Sequence, residues 1–236
     1  MIPLHDDNPT TLRPVVTITL IVLCIVVFLW QVSLPERAAF AATIGYGAIP
    51  AVLFGQAHLP PALEAVPPFA TLLTSMFLHG GWLHIIGNML YLWTFGNNVE
   101  DSMGHGRFVL FYLLCGIAAA LAHAVQDIQS TVPMIGASGA ISGVLGAYLL
   151  LYPRARILVL VWLGLFVTTV KVPAMVVLGF WILLQLVNLG IAAASEDSGG
   201  VAWMAHLGGF VAGMVLLPVF KKRHIPLFRS RSGPWG

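Results

Sequence analysis

Six stretches of this chain, near residues 15–34, 82–99, 107–125, 136–152, 172–193 and 203–220, are almost free of charge; Arg107 is the one charged residue among them. A hydrocarbon core about 30 Å thick takes roughly 20 mostly apolar helical residues, fewer where a helix starts below the surface. No other feature narrows the fold so far. The 236 residues are 58% hydrophobic and 8% charged, with mean hydropathy +0.91, whereas a soluble domain carries about 25% charged residues. The expected class is therefore an all-α integral membrane protein, a bundle of six transmembrane helices over 15–220. Residues 1–14 form an N-terminal segment and 221–236 a basic tail.

A seventh apolar run, 157–170, is fenced by Arg156 and Lys171 and rich in β-branched residues. As a helix it would reach only about 21 Å, so it reads as a membrane-facing loop or re-entrant segment. Charge placement agrees. With six spans and a cytoplasmic N-terminus, ten of the 11 basic residues fall inside, from Arg13 and Arg107 to Arg229 and Arg231, and Arg37 alone falls outside. That placement of Lys and Arg satisfies the positive-inside rule almost completely, and the outer loops hold Glu36, Glu64, Asp127, Glu196 and Asp197. A seventh span would put the tail on the wrong side. Both termini are thus expected in the cytoplasm of a multi-pass cell-membrane protein.

The formal charge of +2 does not point to nucleic acid, and Cys24 and Cys115, each within an apolar run, read as buried thiols. Asp6 and Asp7 argue against a mitochondrial transit peptide, and the first apolar run is too long for a signal-peptide core. The first loop, 35–81, carries Pro50, Pro60, Pro61, Pro67 and Pro68 beside short apolar stretches, a pattern that can lie in the interface.

Polar groups inside spans are expensive. Here they include His84, Asn88, His123, Ser138, Ser142 and His206. Counted back from Glu100, Arg154 and Lys221, the residues His84, Ser138 and His206 all lie about 22–24 Å above the inner face. Three helices thus carry a polar side chain at one level, in the outer third of the bilayer, and Asn88 lies one turn below His84 on the same face. Such groups can simply tie helices together. A common depth together with the local sequences favours a site. Ser138, in Gly136-Ala137-Ser138-Gly139, opens the fourth span, where free backbone N–H groups can hold an oxyanion. Gly139 with Gly143, and Gly209 with Gly213, form small faces that permit the close approach a Ser138–His206 hydrogen bond needs.

These segments resemble the rhomboid family. Phe77 to Leu90, with His84 and Asn88, is similar to the family's second span; Gly136-Ala137-Ser138-Gly139 to its nucleophile motif; and Ala205-His206 with Gly209 and Gly213 to its sixth span. The resemblance covers residues 15–220. It implies a Ser–His dyad protease that cuts transmembrane segments of other proteins within the lipid bilayer, with no metal or cofactor. Ser138 would be the nucleophile and His206 the general base and acid. Asn88, His84 and the Ser138 backbone N–H would hold the oxyanion, in a site open toward the outer side. Glu100 and Gly104 match positions that look structural. Two positions depart from the family pattern: Ser142 stands where many members have a Tyr stacked on the histidine, and Phe69-Ala70-Thr71 where many have Trp-Arg.

No acidic residue shares the depth of His206 on another span, so the expectation is a dyad whose imidazole is oriented by helix packing alone. Two other classes compete. A non-catalytic rhomboid-like chaperone or scaffold would not need both Ser138 and His206. A small transporter would show repeated halves and a central polar level, and neither is found. His79 and His123 are assigned to packing or an interface position.

Overall fold

Pro14 ends an extended entrance and the chain turns at once into α1, Val15–Ser33. Pro cannot cap with its side chain, and the free N–H groups of the first turn are taken by a buried carboxylate from another helix. Glu100 Oε1 accepts from the Val16 N–H at 2.9 Å, and Oε2 from the Thr17 N–H at 2.8 Å and its hydroxyl at 2.6 Å. A negative group at a helix N-terminus is favoured by both the free donors and the helix dipole. His105 Nδ1 lies 2.6 Å from Glu100 Oε1 on the far side. Glu100, read from the sequence as structural, joins three segments.

The computed structural model describes residues 2–164, 166–194 and 202–228. Glu196 and Asp197, expected in the last outer loop, and Arg229 and Arg231 of the tail lie outside the described residues. After α1 the long first loop is built of short pieces: α2, Glu36–Tyr46; α3, Pro50–Leu53; and α4, Thr71–Thr74, flanked by 3₁₀ turns at Pro68–Ala70 and Ser75–Phe77. The main bundle follows, with α5, Trp82–Met103; α6, His105–Ala124; α7, Ser138–Leu151; α8, Ala174–Ala194; and α9, Trp203–Phe220. Gly104, at φ +86°, makes the turn between α5 and α6, a conformation open to Gly at no steric cost.

Of these helices α1, α6, α8 and α9 are long and apolar enough to cross a membrane, and the pair Pro68–Phe77 and Trp82–Met103, bent by 82°, makes a fifth candidate. The sixth expected span is α7, a shorter apolar helix of 14 residues. It is enclosed by its neighbours, with Gly139 through Tyr148 all buried, so it need not match the lipid thickness. The small faces seen in the sequence do meet. A Cβ on Gly209 would collide with the Gly139 carbonyl oxygen, one on Gly213 with that of Gly143, and one on Gly146 with that of Phe210. Backbone thus packs on backbone between α7 and α9, as small-residue interfaces permit.

The fold is mostly helical but not all-α. Residues expected to form a loop or re-entrant segment form a β-hairpin, β2, Arg156–Leu163, and β3, Phe166–Pro173, paired from Arg156↔Pro173 to Leu163↔Phe166. Gly164, at φ +65°, lies in its turn. The N-terminal strand β1, Ile2–Asp6, adds antiparallel to β2, giving the order β1-β2-β3. The β-branched residues that shorten helix prospects favour a pleated strand. Ile157 and Val159, alternate residues of β2, are buried against the helices, as the period of two requires.

The N-terminal segment, the α5–α6 turn, the hairpin and the segment after α9 meet at one end of the bundle. Tyr148 Oη donates to Asp6 Oδ2 at 2.6 Å, Asn98 Nδ2 to the Asn8 carbonyl at 3.0 Å, and Lys222 Nζ to the Asp101 carbonyl at 2.7 Å. Ser138, His206 and His84 stand near the first residues of α7, α9 and α5, at the other end.

Candidate active site

Ser138 is the first residue of α7, and its position is set by the loop before it. Met134 and Ala48 exchange backbone hydrogen bonds of 2.8 and 3.0 Å, and the Gly136 N–H donates to the Ser75 carbonyl at 2.9 Å. The first loop therefore supports the approach to Ser138. Gly136 has φ +126°, and a Cβ there would stand 2.8 Å from His84 Nε2 and 3.7 Å from Ser138 Oγ. A side chain at 136 would fill the space between those two groups.

His206, on the first turn of α9, places Nε2 at 2.8 Å from Ser138 Oγ. Its Nδ1 lies 2.8 Å from Gln185 Oε1 of α8. Packing alone therefore does not orient the ring, contrary to the expectation from sequence, because an amide from α8 reaches it. A neutral amide carries no charge that would mark it in the sequence. A Gln in an otherwise apolar run, one helical turn after Trp181, was the signal available. Trp181 and Trp203 flank the imidazole with ring centroids 6.0 and 6.1 Å away, so aromatic neighbours come from α8 and α9 rather than from position 142. Ser142 is buried and its hydroxyl donates to the Ser138 carbonyl at 2.6 Å.

His84 and Asn88 share one face of α5 and line the same cleft of about 940 Å³ as Ser138, His206 and Trp181. The Gly80 N–H donates to His84 Nδ1 at 3.2 Å, which in the neutral ring leaves the proton on Nε2. Asn88 Nδ2 is buried and has no hydrogen-bond partner among the described residues. An orphaned buried donor costs free energy, and this one belongs to a residue that lines the same cleft as Ser138. The first-turn N–H groups of α7 have no intrahelical acceptors either. The arrangement can therefore offer a hydroxyl, a base and several donors to one reacting carbonyl.

His79 is buried, with Nδ1 at 3.2 Å from the Phe77 carbonyl and its ring edge-on to His84 at 5.2 Å. Its N–H donates to Gln31 Oε1 of α1 at 3.0 Å. His123 lines a separate pocket with Trp203 and Asp127. Both cysteines are free and buried. Among the described residues no three His, Cys, Asp or Glu side chains gather as metal ligands would.

A family model described as the rhomboid domain matches residues 68–223. The chain is 38% identical over 142 residues to Rhomboid protease GluP of Bacillus subtilis (strain 168), covering 60% of this chain and 24% of that one. It is 33% identical over 164 residues to RHOMBOID-like protein 4 of Arabidopsis thaliana, covering 69% and 37%. To Rhomboid protein 1, mitochondrial, of Saccharomyces cerevisiae it is 31% identical over 150 residues, covering 61% and 40%. The matched part spans about a quarter to two fifths of these relatives. The family match takes in Ser138, His206, His84 and Asn88 and covers well over half of the chain, and this membrane protein belongs to the rhomboid family.

Proposed function

We propose that the protein is an intramembrane serine endopeptidase that hydrolyses peptide bonds in or near transmembrane segments of membrane-protein substrates. The observation that carries this is the 2.8 Å approach of His206 Nε2 to Ser138 Oγ within a cleft also lined by Asn88, whose buried Nδ2 has no hydrogen-bond partner among the described residues. One relative named as a rhomboid protease, GluP of Bacillus subtilis, supports the same reading.

His206 takes the hydroxyl proton as Ser138 Oγ attacks the scissile carbonyl carbon. The developing oxyanion is held by Asn88 Nδ2, His84 Nε2–H and the Ser138 N–H. Collapse breaks the C–N bond, and His206 returns the proton to the leaving amine. A water molecule then attacks the acyl-serine ester, with His206 again as base, and frees the new carboxyl group and the serine. Asn88, His84 and Ser138 all line the cleft before substrate arrives, and donors already gathered there reduce the reorganisation needed when charge develops.

The proposed placement has six spans, with α7 as the short fourth, both termini in the cytoplasm and the cleft opening outward. Substrates would then reach Ser138 in the outer third of the bilayer. The test is reconstitution with a tagged single-span reporter. Wild type should cut it and Ser138→Ala should not. Equal cleavage by both would reject the dyad, and binding of membrane clients with no cleavage would favour a scaffold.

A further inference from the structure

We infer that Gln185 is the positioning residue of the site, a neutral third member that fixes the His206 tautomer and so makes Nε2 the base. The inference rests on the protease reading above for its catalytic consequence, but its structural content stands apart from that reading.

Gln185 lies in the middle of α8 and is 7% exposed. Its two amide atoms have different neighbours. Nε2 donates to the Trp181 carbonyl, one turn back, at 3.2 Å, and Oε1 faces His206 Nδ1 at 2.8 Å. Rotating the amide by half a turn would set its oxygen against the Trp181 carbonyl oxygen and lose that bond. The hydrogen-bond network therefore selects one orientation. With an acceptor fixed in front of it, Nδ1 must carry the proton. A neutral imidazole has only one, so the lone pair is on Nε2, where the Ser138 hydroxyl stands at 2.8 Å.

In soluble serine proteases an aspartate does this work, and replacing it with an amide that stabilises the wrong tautomer lowers kcat by about 10⁴. A carboxylate at membrane depth is expensive, and a glutamine supplies the same acceptor without a buried charge. What it forgoes is charge stabilisation of the imidazolium. Trp181 serves twice, presenting its carbonyl to Gln185 and its ring to His206. The orientation of the base on α9 thus depends on the seating of α8.

The test uses the full chain in detergent, labelled with ¹⁵N-histidine, at a pH where imidazole is neutral. His206 should give a protonated Nδ1 and an unprotonated Nε2. Gln185→Met, which keeps length and apolar volume but removes the acceptor, should shift the ring toward the Nε2–H form. It should also lower kcat on the single-span reporter by about 10²–10⁴, with KM within about twofold. Gln185→Glu, which still accepts from Nδ1, should recover most of kcat. An Nε2–H ring in the wild type, or a Gln185→Met protein with unchanged tautomer and kcat, would overturn the assignment. The wild-type spectrum decides even where the Met variant does not fold. A wild type that cleaves nothing but shows the Nδ1–H ring would reject the protease reading while upholding the Gln185 assignment.

Discussion

Ser138 and His206 stand 2.8 Å apart although 68 positions separate them in the chain. Residues that act as one unit are strongly non-additive. Ser138→Ala, His206→Ala and the double variant should therefore be nearly equally inactive toward a reporter, with thermal midpoints close to wild type. Clearly additive losses would show that the two do not work together. Asn88 tests the oxyanion role. Its Nδ2 is buried without a partner among the described residues, so Asn88→Ala should cost about 10²–10³ in kcat while leaving the fold intact or slightly steadier. A large drop in thermal midpoint with kcat preserved would make Asn88 a structural residue. At this scale four of the site positions were legible in the sequence, because small residues surround the serine and equal depth could be counted along helices. Gln185 is not legible there, because an uncharged amide in an apolar helix has an ordinary interhelical use, and only the fold shows which ring it faces.

Among the elements, the α7–α9 contact is the least forgiving. A Cβ at Gly213 would run into the Gly143 carbonyl, and the Gly143 Cα is close behind. Backbone cannot yield as a flexible side chain can, so Gly213→Ala should destabilise by about 1–3 kcal/mol and reduce activity by moving His206 away from Ser138. Thermal unfolding in detergent and reporter cleavage read the two effects separately. Unchanged values in both would mean that the helices have room to spare. The hairpin teaches the opposite lesson. Residues 157–170 were too short to span and rich in β-branched side chains, which excluded a seventh helix. Strand pairing with Ile2–Asp6 was out of reach, because a partner some 150 positions away leaves no local trace.

On the scale of the whole molecule, segments distant in sequence lock together at the end opposite the cleft. Asp6 is buried there against Tyr148, and burial pushes its carboxyl from the usual 3.8 up to about 6, with the Tyr148 hydrogen bond opposing part of the rise. The folded value lies above the unfolded one, so the unfolded chain ionises first as pH rises. The contribution is most favourable below 3.8, falls between 3.8 and about 6, and then levels off at a cost of about 3 kcal/mol. Asp6→Asn should raise the thermal midpoint at neutral pH and flatten its slope across that window. Identical slopes in the two proteins would remove Asp6 from the account. For topology, a reporter joined to the C-terminal end should read cytoplasmic, and an external signal would break the charge argument.

What the sequence by itself determined is what depends on local composition and linear count. Long apolar runs demand helices in lipid because backbone groups have no other partners there. Depth along those helices is arithmetic, and small residues mark where two backbones can meet. Tertiary structure alone decided what depends on partners far apart in the chain. It brought Glu100 of α5 to the start of α1, gave β1 its place beside β2, and set the Gln185 amide against the His206 ring. Each is a polar pairing whose free energy comes from satisfying buried donors and acceptors, and the residues involved carry no mark of their partner until packing brings them together.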